Sequence, residues 1–248
     1  MKTHRRMASL FSVPSVFSVV NIVFVVFAIF TTPGPSMTEL QIALDGELAA
    51  ALDALAQVHP FVDIAEIGTP LVFREGMRAV REIRAAYPRL TLVADLKIMD
   101  AGQAEADIAF RAGADRVTVM ALASDATIAG ALASARSHGK RVMIDMMQVA
   151  DPLPRARRLL ALGCDLLCLH TAHDLQAAQA SPYAQLAQLR AALPAAHLAI
   201  AGGVKLETLE QILPLRPQVI IVGSGITAAP DPGATARQFH ERIRHESA

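Results

Sequence analysis

From Leu40 onward the chain repeats one unit: a short apolar run ends in polar or glycine residues and is followed by an amphipathic stretch. The runs are Leu40–Leu44, Ile64–Ile67, Leu90–Ala94, Val117–Met120, Val142–Met146, Leu166–Leu169, Leu198–Ala201 and Val219–Val222. Continuous rather than alternating apolar runs predict strands buried on both faces, the condition of a parallel sheet covered by helices. Eight such units predict a closed barrel. An open doubly wound sheet would carry a glycine-rich fingerprint after the first strand. The chain has Asp45-Gly46-Glu47 there, which does not fit. In Phe73–Ala86, Met77, Val80, Ile83 and Arg84 form a stripe opposite a charged side, and Pro88 ends the helix. Gly102–Ala112 and Leu206–Leu213 read similarly. Ala112-Gly113-Ala114-Asp115 is echoed by Leu162-Gly163-Cys164-Asp165, each with a glycine suited to a helix C-cap before a strand. The predicted fold class is α/β, a single-domain (β/α)8 TIM barrel over residues 37–248.

Residues 1–36 do not share this pattern and are read as a non-barrel hydrophobic N-terminal extension. Lys2, Arg5 and Arg6 precede the uncharged apolar stretch Leu10–Phe30, which Thr31-Thr32-Pro33-Gly34-Pro35-Ser36 breaks off. Length and basic flank suit a signal anchor. A start site assigned upstream of Met37 is the favoured reading, because Met37 stands just before the first strand. The barrel is therefore expected in the cytoplasm, with membrane attachment through residues 10–30 as the alternative.

Charge and composition narrow the partners. The 23 basic and 23 acidic residues cancel, so no basic face is implied, and without Trp no base-stacking platform is visible; nucleic acid is not expected as a partner. Cys164 and Cys168 lie in one apolar run. If the whole run is a strand they share a face roughly 13 Å apart, too far for a disulfide, and they are read as buried thiols.

Catalytic groups of such barrels sit where the strands end. The first run ends in Asp45, the second in Glu66-Ile67-Gly68-Thr69-Pro70 and the third in Asp95-Leu96-Lys97-Ile98-Met99-Asp100. The fifth carries Asp145, the sixth ends in His170-Thr171-Ala172-His173, and the last two end in Gly202-Gly203 and Gly223-Ser224-Gly225. Asp95 and Lys97 are two apart, so in a strand both can face the barrel mouth, and a Lys among carboxylates stays protonated and can stabilise developing anionic charge. By spacing alone a surface ion-pair cluster fits equally well. Glu66 and Asp95, ending neighbouring strands, suit Mg²⁺, although one carboxylate could instead tie down the other's loop. The two glycine pairs match the common phosphate site of these barrels, where backbone N–H groups meet the anion. His170 is a candidate acid or base; His59, His138, His197, His240 and His245 are read as structural.

Taken together, Leu40-Gln41-Ile42-Ala43-Leu44-Asp45, Glu66-Ile67-Gly68-Thr69-Pro70, Ala94-Asp95-Leu96-Lys97-Ile98-Met99-Asp100-Ala101-Gly102 and Ile221-Val222-Gly223-Ser224-Gly225-Ile226-Thr227 carry a family. They resemble the 3-hexulose-6-phosphate synthases of the orotidine-monophosphate-decarboxylase superfamily, whose nearest relatives are the 3-keto-L-gulonate-6-phosphate decarboxylases. The resemblance runs in order from Thr38 and leaves out residues 1–36. It implies an aldehyde-lyase that condenses D-ribulose 5-phosphate with formaldehyde through an enediolate. It also implies Mg²⁺ on Glu66 and Asp95, substrate on Asp45 and Thr69, and phosphate on Gly202, Gly203, Gly223 and Ser224. Lys97, Asp100, Asp145 and His170 would be catalytic, with Asp100 reaching the partner subunit's site in a homodimer. Many members carry Arg where this chain has Ser224, so phosphate would depend more on backbone amides. The loop after the sixth strand lacks Arg, and Met146 and Met147 make the wall after the fifth more apolar; both suit a small second substrate. The alternatives are the decarboxylase, a sugar-phosphate isomerase barrel, and a non-catalytic membrane-tethered phosphate-binding barrel. The last two leave Asp95-x-Lys97-x-x-Asp100 without a role.

Overall fold

The computed structural model describes residues 37–176 and 182–246. The apolar N-terminal extension lies outside the described residues, and among those described no helix is long and apolar enough to cross a membrane. The strands are β1 (Glu39–Leu44), β2 (Ile64–Ile67), β3 (Thr91–Ile98), β4 (Arg116–Met120), β5 (Arg141–Asp145), β6 (Leu166–His170), β7 (His197–Ala201) and β8 (Val219–Val222). Each pairs in parallel with the next and β8 pairs with β1, closing the predicted barrel.

Strand alternation divides the core in two. Ile64, Val93, Met143, Cys168, Ala199 and Ile221 belong to the cluster that fills the barrel. Ile42, Ile67, Ala94, Val119, Ile144 and Leu169 face outward and pack under the helices. These are α1 (Leu48–Val58), α2 (Thr69–Glu75), α3 (Met77–Ala86), α4 (Gly102–Ala112), α5 (Asp125–His138), α6 (Pro152–Ala161), α7 (Tyr183–Ala192), α8 (Leu209–Ile212), α9 (Ser224–Thr227) and α10 (Pro232–Glu246). Gly113 and Gly163 both adopt left-handed φ at helix ends, as the sequence echo predicts.

Five local expectations change. The helix expected over Phe73–Ala86 breaks at Gly76, whose φ of 54° no ordinary helix residue adopts, so it becomes the end of α2 plus α3. The stretch Leu206–Leu213 is a chain of short turns, with 3₁₀ segments on either side of α8. Cys164 precedes β6 and packs in the outer core, whereas Cys168 faces the barrel interior, so the two do not share a face. Both are buried free thiols, and burial pushes the Cys164 thiol up to about 11. The third strand runs on to Ile98, four residues beyond the end of its apolar run, and carries Asp95 and Lys97 within it.

Arg84 is not part of the apolar stripe. Its Nε donates to Gly113 O at 3.0 Å and Nη1 to Pro88 O at 3.0 Å and Leu90 O at 2.8 Å, and the guanidinium pairs with Asp115. Asp115 also accepts from Leu92 N at 2.9 Å and Lys140 Nζ at 2.6 Å, so one carboxylate ties α3, the start of β3 and the lead into β5 together. Partial burial disfavours its charge, but Lys140, the Leu92 N–H and Arg84 outweigh that and hold it below the ordinary value of 3.8. A lowered folded value gives stability that is present above the unfolded value and lost as the pH falls through the folded one. Asp115→Asn should therefore unfold at lower denaturant at neutral pH, and its deficit should shrink below about pH 3.8. A deficit independent of pH would show that the carboxylate's charge is not what stabilises this junction.

Candidate active site

The polar ends of β1, β2, β3, β5 and β6 meet at the C-terminal mouth of the barrel. At their centre is Lys97, whose Nζ lies 2.6 Å from Asp95 Oδ2 and 3.5 Å from Asp145 Oδ2. Asp95 and Asp145 are buried, and Lys97 is a quarter exposed. Burial disfavours the ammonium, but Asp95 and Asp145 outweigh it and raise its pKa, so Lys97 is a permanent cation.

Asp95 is held from three sides. The single Thr69 Oγ1 proton is shared between its Oδ2 at 2.7 Å and its carbonyl at 2.8 Å, Thr118 Oγ1 donates to its Oδ1 at 2.6 Å, and Lys97 completes the set. The hydroxyl of Thr69 is thereby committed to Asp95. On the far side of Lys97, Asp145 Oδ1 accepts from Met147 N at 2.9 Å and its Oδ2 meets His170 Nδ1 at 2.8 Å. Burial raises the Asp145 carboxyl, but the His170 hydrogen bond, the charges of His170 and Lys97 and the Met147 N–H together bring it below its usual value. An ionised Asp145 can only accept, so Nδ1 is the donor and the neutral ring keeps its lone pair on Nε2.

Glu66 ends β2 beside Asp95, 7% exposed, with the Gln41 amide as its hydrogen-bond donor. Burial and then repulsion from Asp95 push its pKa well up, with Lys97 and Gln41 opposing. Among the described residues no three His, Cys, Asp or Glu side chains converge as a ready cation cage. Two buried carboxylates whose nearest cation is already shared with Asp145 nevertheless fit a hard divalent ion that keeps waters and ligand oxygens in its shell. Asp45, at the end of β1, lies against Gly68: a Cβ there would strike the Asp45 carboxylate and come within 3.0 Å of Leu44 O. Partial desolvation and then Asp95 raise the Asp45 carboxyl.

The glycine pairs close the same mouth. Gly202 has φ 91° and presses on the Thr171 backbone, where a side chain has no room. Gly223 and Ser224 follow β8 and open α9, the short turn whose leading N–H groups have no partner within the helix. Asp100 is the predicted residue not brought in. It is exposed beyond β3, and among the described residues its carboxylate makes one hydrogen bond, from Ala101 N at 2.7 Å. Met146 is buried in the outer core, and Met147 stays half-buried at the mouth. His59, His138 and His240 hydrogen-bond to Leu55 O, Asp107 and Phe61 O away from the site. Gln41 and Thr118 escaped the sequence reading. The signal for both is a polar residue at an inward position of an apolar run, in Leu40-Gln41-Ile42 and Val117-Thr118-Val119.

The family model described as orotidine 5'-phosphate decarboxylase / HUMPS matches residues 38–239. The chain is 44% identical over 206 residues to the 3-hexulose-6-phosphate synthase of Bacillus subtilis (strain 168), covering 83% of this chain and 98% of that one. Among solved structures it superposes on the 3-hexulose-6-phosphate synthase of Salmonella typhimurium with a TM-score of 0.82 at 39% identity, covering 84% of this chain and all of that one. The 3-keto-L-gulonate-6-phosphate decarboxylase of Vibrio cholerae O1 biovar El Tor gives a TM-score of 0.75 at 30% identity, covering 84% and 98%.

Gly68→Ala tests the packing of the mouth. The variant should fold, lose on the order of 1–3 kcal/mol in denaturant unfolding through overpacking, and show a displaced Asp45 carboxylate in a crystal structure. An Asp45 that keeps its place would mean that β2 yields instead.

Proposed function

The chain belongs to the orotidine 5'-phosphate decarboxylase / HUMPS family, and from that premise we propose that it condenses D-ribulose 5-phosphate with formaldehyde to D-arabino-hex-3-ulose 6-phosphate, an aldehyde-lyase reaction. The observation that carries the proposal is the line Asp95–Lys97–Asp145–His170 across the mouth, a permanent cation next to a carboxylate–imidazole pair. A ketose phosphate bound there presents C1 to His170 Nε2, the free lone pair of that pair. Nε2 takes the C1 proton, and the electron pair left behind delocalises onto the C2 oxygen as an enediolate. Lys97 Nζ stabilises that negative charge. C1 then attacks the formaldehyde carbon, the C=O electron pair becomes an alkoxide, and the proton on Nε2 is returned to it. Mg²⁺ on Glu66 and Asp95 would supply further charge stabilisation at the substrate oxygens. The phosphate sits on the backbone of Gly202, Gly203, Gly223 and Ser224, and Asp45 orients a substrate hydroxyl.

The protein acts as a homodimer in which Asp100 completes the partner's site. Support comes from its exposed place just past β3, away from Lys97 of its own chain, beside an exposed Met99. The barrel works in the cytoplasm, where sugar phosphates are found. Decarboxylation of 3-keto-L-gulonate 6-phosphate is the second reading, since the same cation and carboxylates would serve it. Met147 at the mouth and the absence of Arg from the loop after β6 favour the small aldehyde over a longer, hydroxyl-rich substrate.

Three measurements test this. One preparation should show the higher kcat/KM for ribulose 5-phosphate with formaldehyde and at most weak decarboxylation; the reverse order would replace the first reading with the second. Activity should vanish in a strong chelator and return with Mg²⁺, and full activity in chelator would remove the cation from the proposal. Asp100→Ala and Lys97→Ala should each be inactive, while their mixed dimers regain activity because one of the two sites keeps both groups. No recovery despite proven subunit exchange would count against the shared site.

A further inference from the structure

Strand β3 does not run straight past the site. It pairs with β4 as Ala94↔Val117 and next as Ile98↔Val119. Asp95, Leu96 and Lys97 therefore stand opposite one residue, Thr118. Such a bulge re-aims side chains and leaves backbone groups without their ladder partners. Lys97 lies at its end with φ 48°, a left-handed conformation that is strained for a residue with a Cβ and persists only where the surroundings impose it.

Thr118 is 2% exposed and supplies what the bulge removes. Its Oγ1 accepts from Lys97 N at 2.9 Å and donates to Asp95 Oδ1 at 2.6 Å. Few side-chain atoms can accept and donate at one point, and a hydroxyl oxygen is one of them. On Asp95, Oδ2 already receives Lys97 Nζ and a share of the single Thr69 hydroxyl proton, which it divides with the Asp95 carbonyl. Oδ1 receives only the Thr118 hydroxyl among the described residues, so it keeps one open lone pair.

We propose that Thr118 is a positioning residue of this site. Through one oxygen it locks the left-handed backbone of Lys97 and aims the open lone pair of Asp95 Oδ1 at the cation. The inference rests on the proposed function for the identity of that cation, while the bulge and its hydroxyl bridge stand independently of it.

The test uses the full-length protein, with Mn²⁺ as the probe ion and no substrate present. Binding is read from the loss of the free Mn²⁺ signal in electron paramagnetic resonance, alongside the thermal midpoint and kcat. Thr118→Val keeps the shape and removes the hydroxyl; Thr118→Ser keeps the hydroxyl and removes a methyl from a packed interior. Thr118→Val should bind Mn²⁺ at least tenfold more weakly and lose kcat by about 10²-fold, the scale of a misplaced group. Thr118→Ser should melt at a lower temperature than the parent yet bind Mn²⁺ within about threefold of it. Affinity would then follow the hydroxyl and not the stability. Should Thr118→Val fail to fold, Thr118→Ala against Thr118→Ser makes the same comparison. Parent-like Mn²⁺ binding by a hydroxyl-free variant would overturn the inference alone, and so would equal loss in Thr118→Ser. A parent protein that binds no Mn²⁺ would overturn the cation assignment and the inference with it.

Discussion

Everything at the mouth of this barrel follows from putting carboxylates close together where water is scarce. Two unit charges about 4 Å apart interact by about 4 kcal/mol at an effective dielectric of about 20, and burial adds a desolvation cost for each. Asp95 and Asp145 are 5% and 3% exposed, and Lys97 lies between them as their shared counter-charge. Among the described residues Glu66 has no counter-charge of its own, and burial and then repulsion from Asp95 push its carboxyl well up. Glu66 and Asp95 are therefore the part of the mouth least matched by positive charge, the place the proposed function gives to a divalent cation.

β3 is irregular at these same charges. A regular strand would send Asp95 and Lys97 to the same face, but two residues along a strand span roughly 6–7 Å. The bulge, with Lys97 in a left-handed conformation, lets Nζ return to within 2.6 Å of Asp95 Oδ2. The freed N–H then needs an acceptor, and Thr118 provides it from the neighbouring strand. The rest of the barrel is regular enough to hold the strain in place, because β3 is flanked on both sides by paired strands buried on both faces.

The strands were legible because a buried parallel strand is written as an unbroken apolar run, and the structure places all eight where those runs lie. The ends were less so. Apolarity stops at Ala94, but the strand takes up its pairing again at Ile98, beyond the two site residues Asp95 and Lys97, because pairing depends on the backbone and not on side-chain polarity. The break at Gly76 was hidden because the apolar periodicity on either side of it reads as one helix. Arg84 shared the spacing of the stripe, and nothing local reveals that its guanidinium collects carbonyls from two later loops. Thr118 and Gln41 were missed for a related reason. Thr is an ordinary strand residue, and its role comes from a register shift that only the pairing of β3 with β4 creates.

The site also divides into two unequally constrained halves. On the β2–β4 side, Asp95 alone accepts from Thr69, Thr118 and Lys97, so a change in any one of them disturbs the others. On the β5–β6 side, Asp145 and His170 hold each other and lean on the Met147 N–H, and their ion-pair link to the first half is the 3.5 Å approach of Lys97. That longer contact transmits charge but little geometry, since an ion pair tolerates displacement where a short hydrogen bond does not. The cation pair can thus stay intact while the acid–base pair and the wall beside Met147 change. On the proposed function, charge stabilisation falls to the strained half of the barrel, and the choice of what the enediolate meets falls to the looser one.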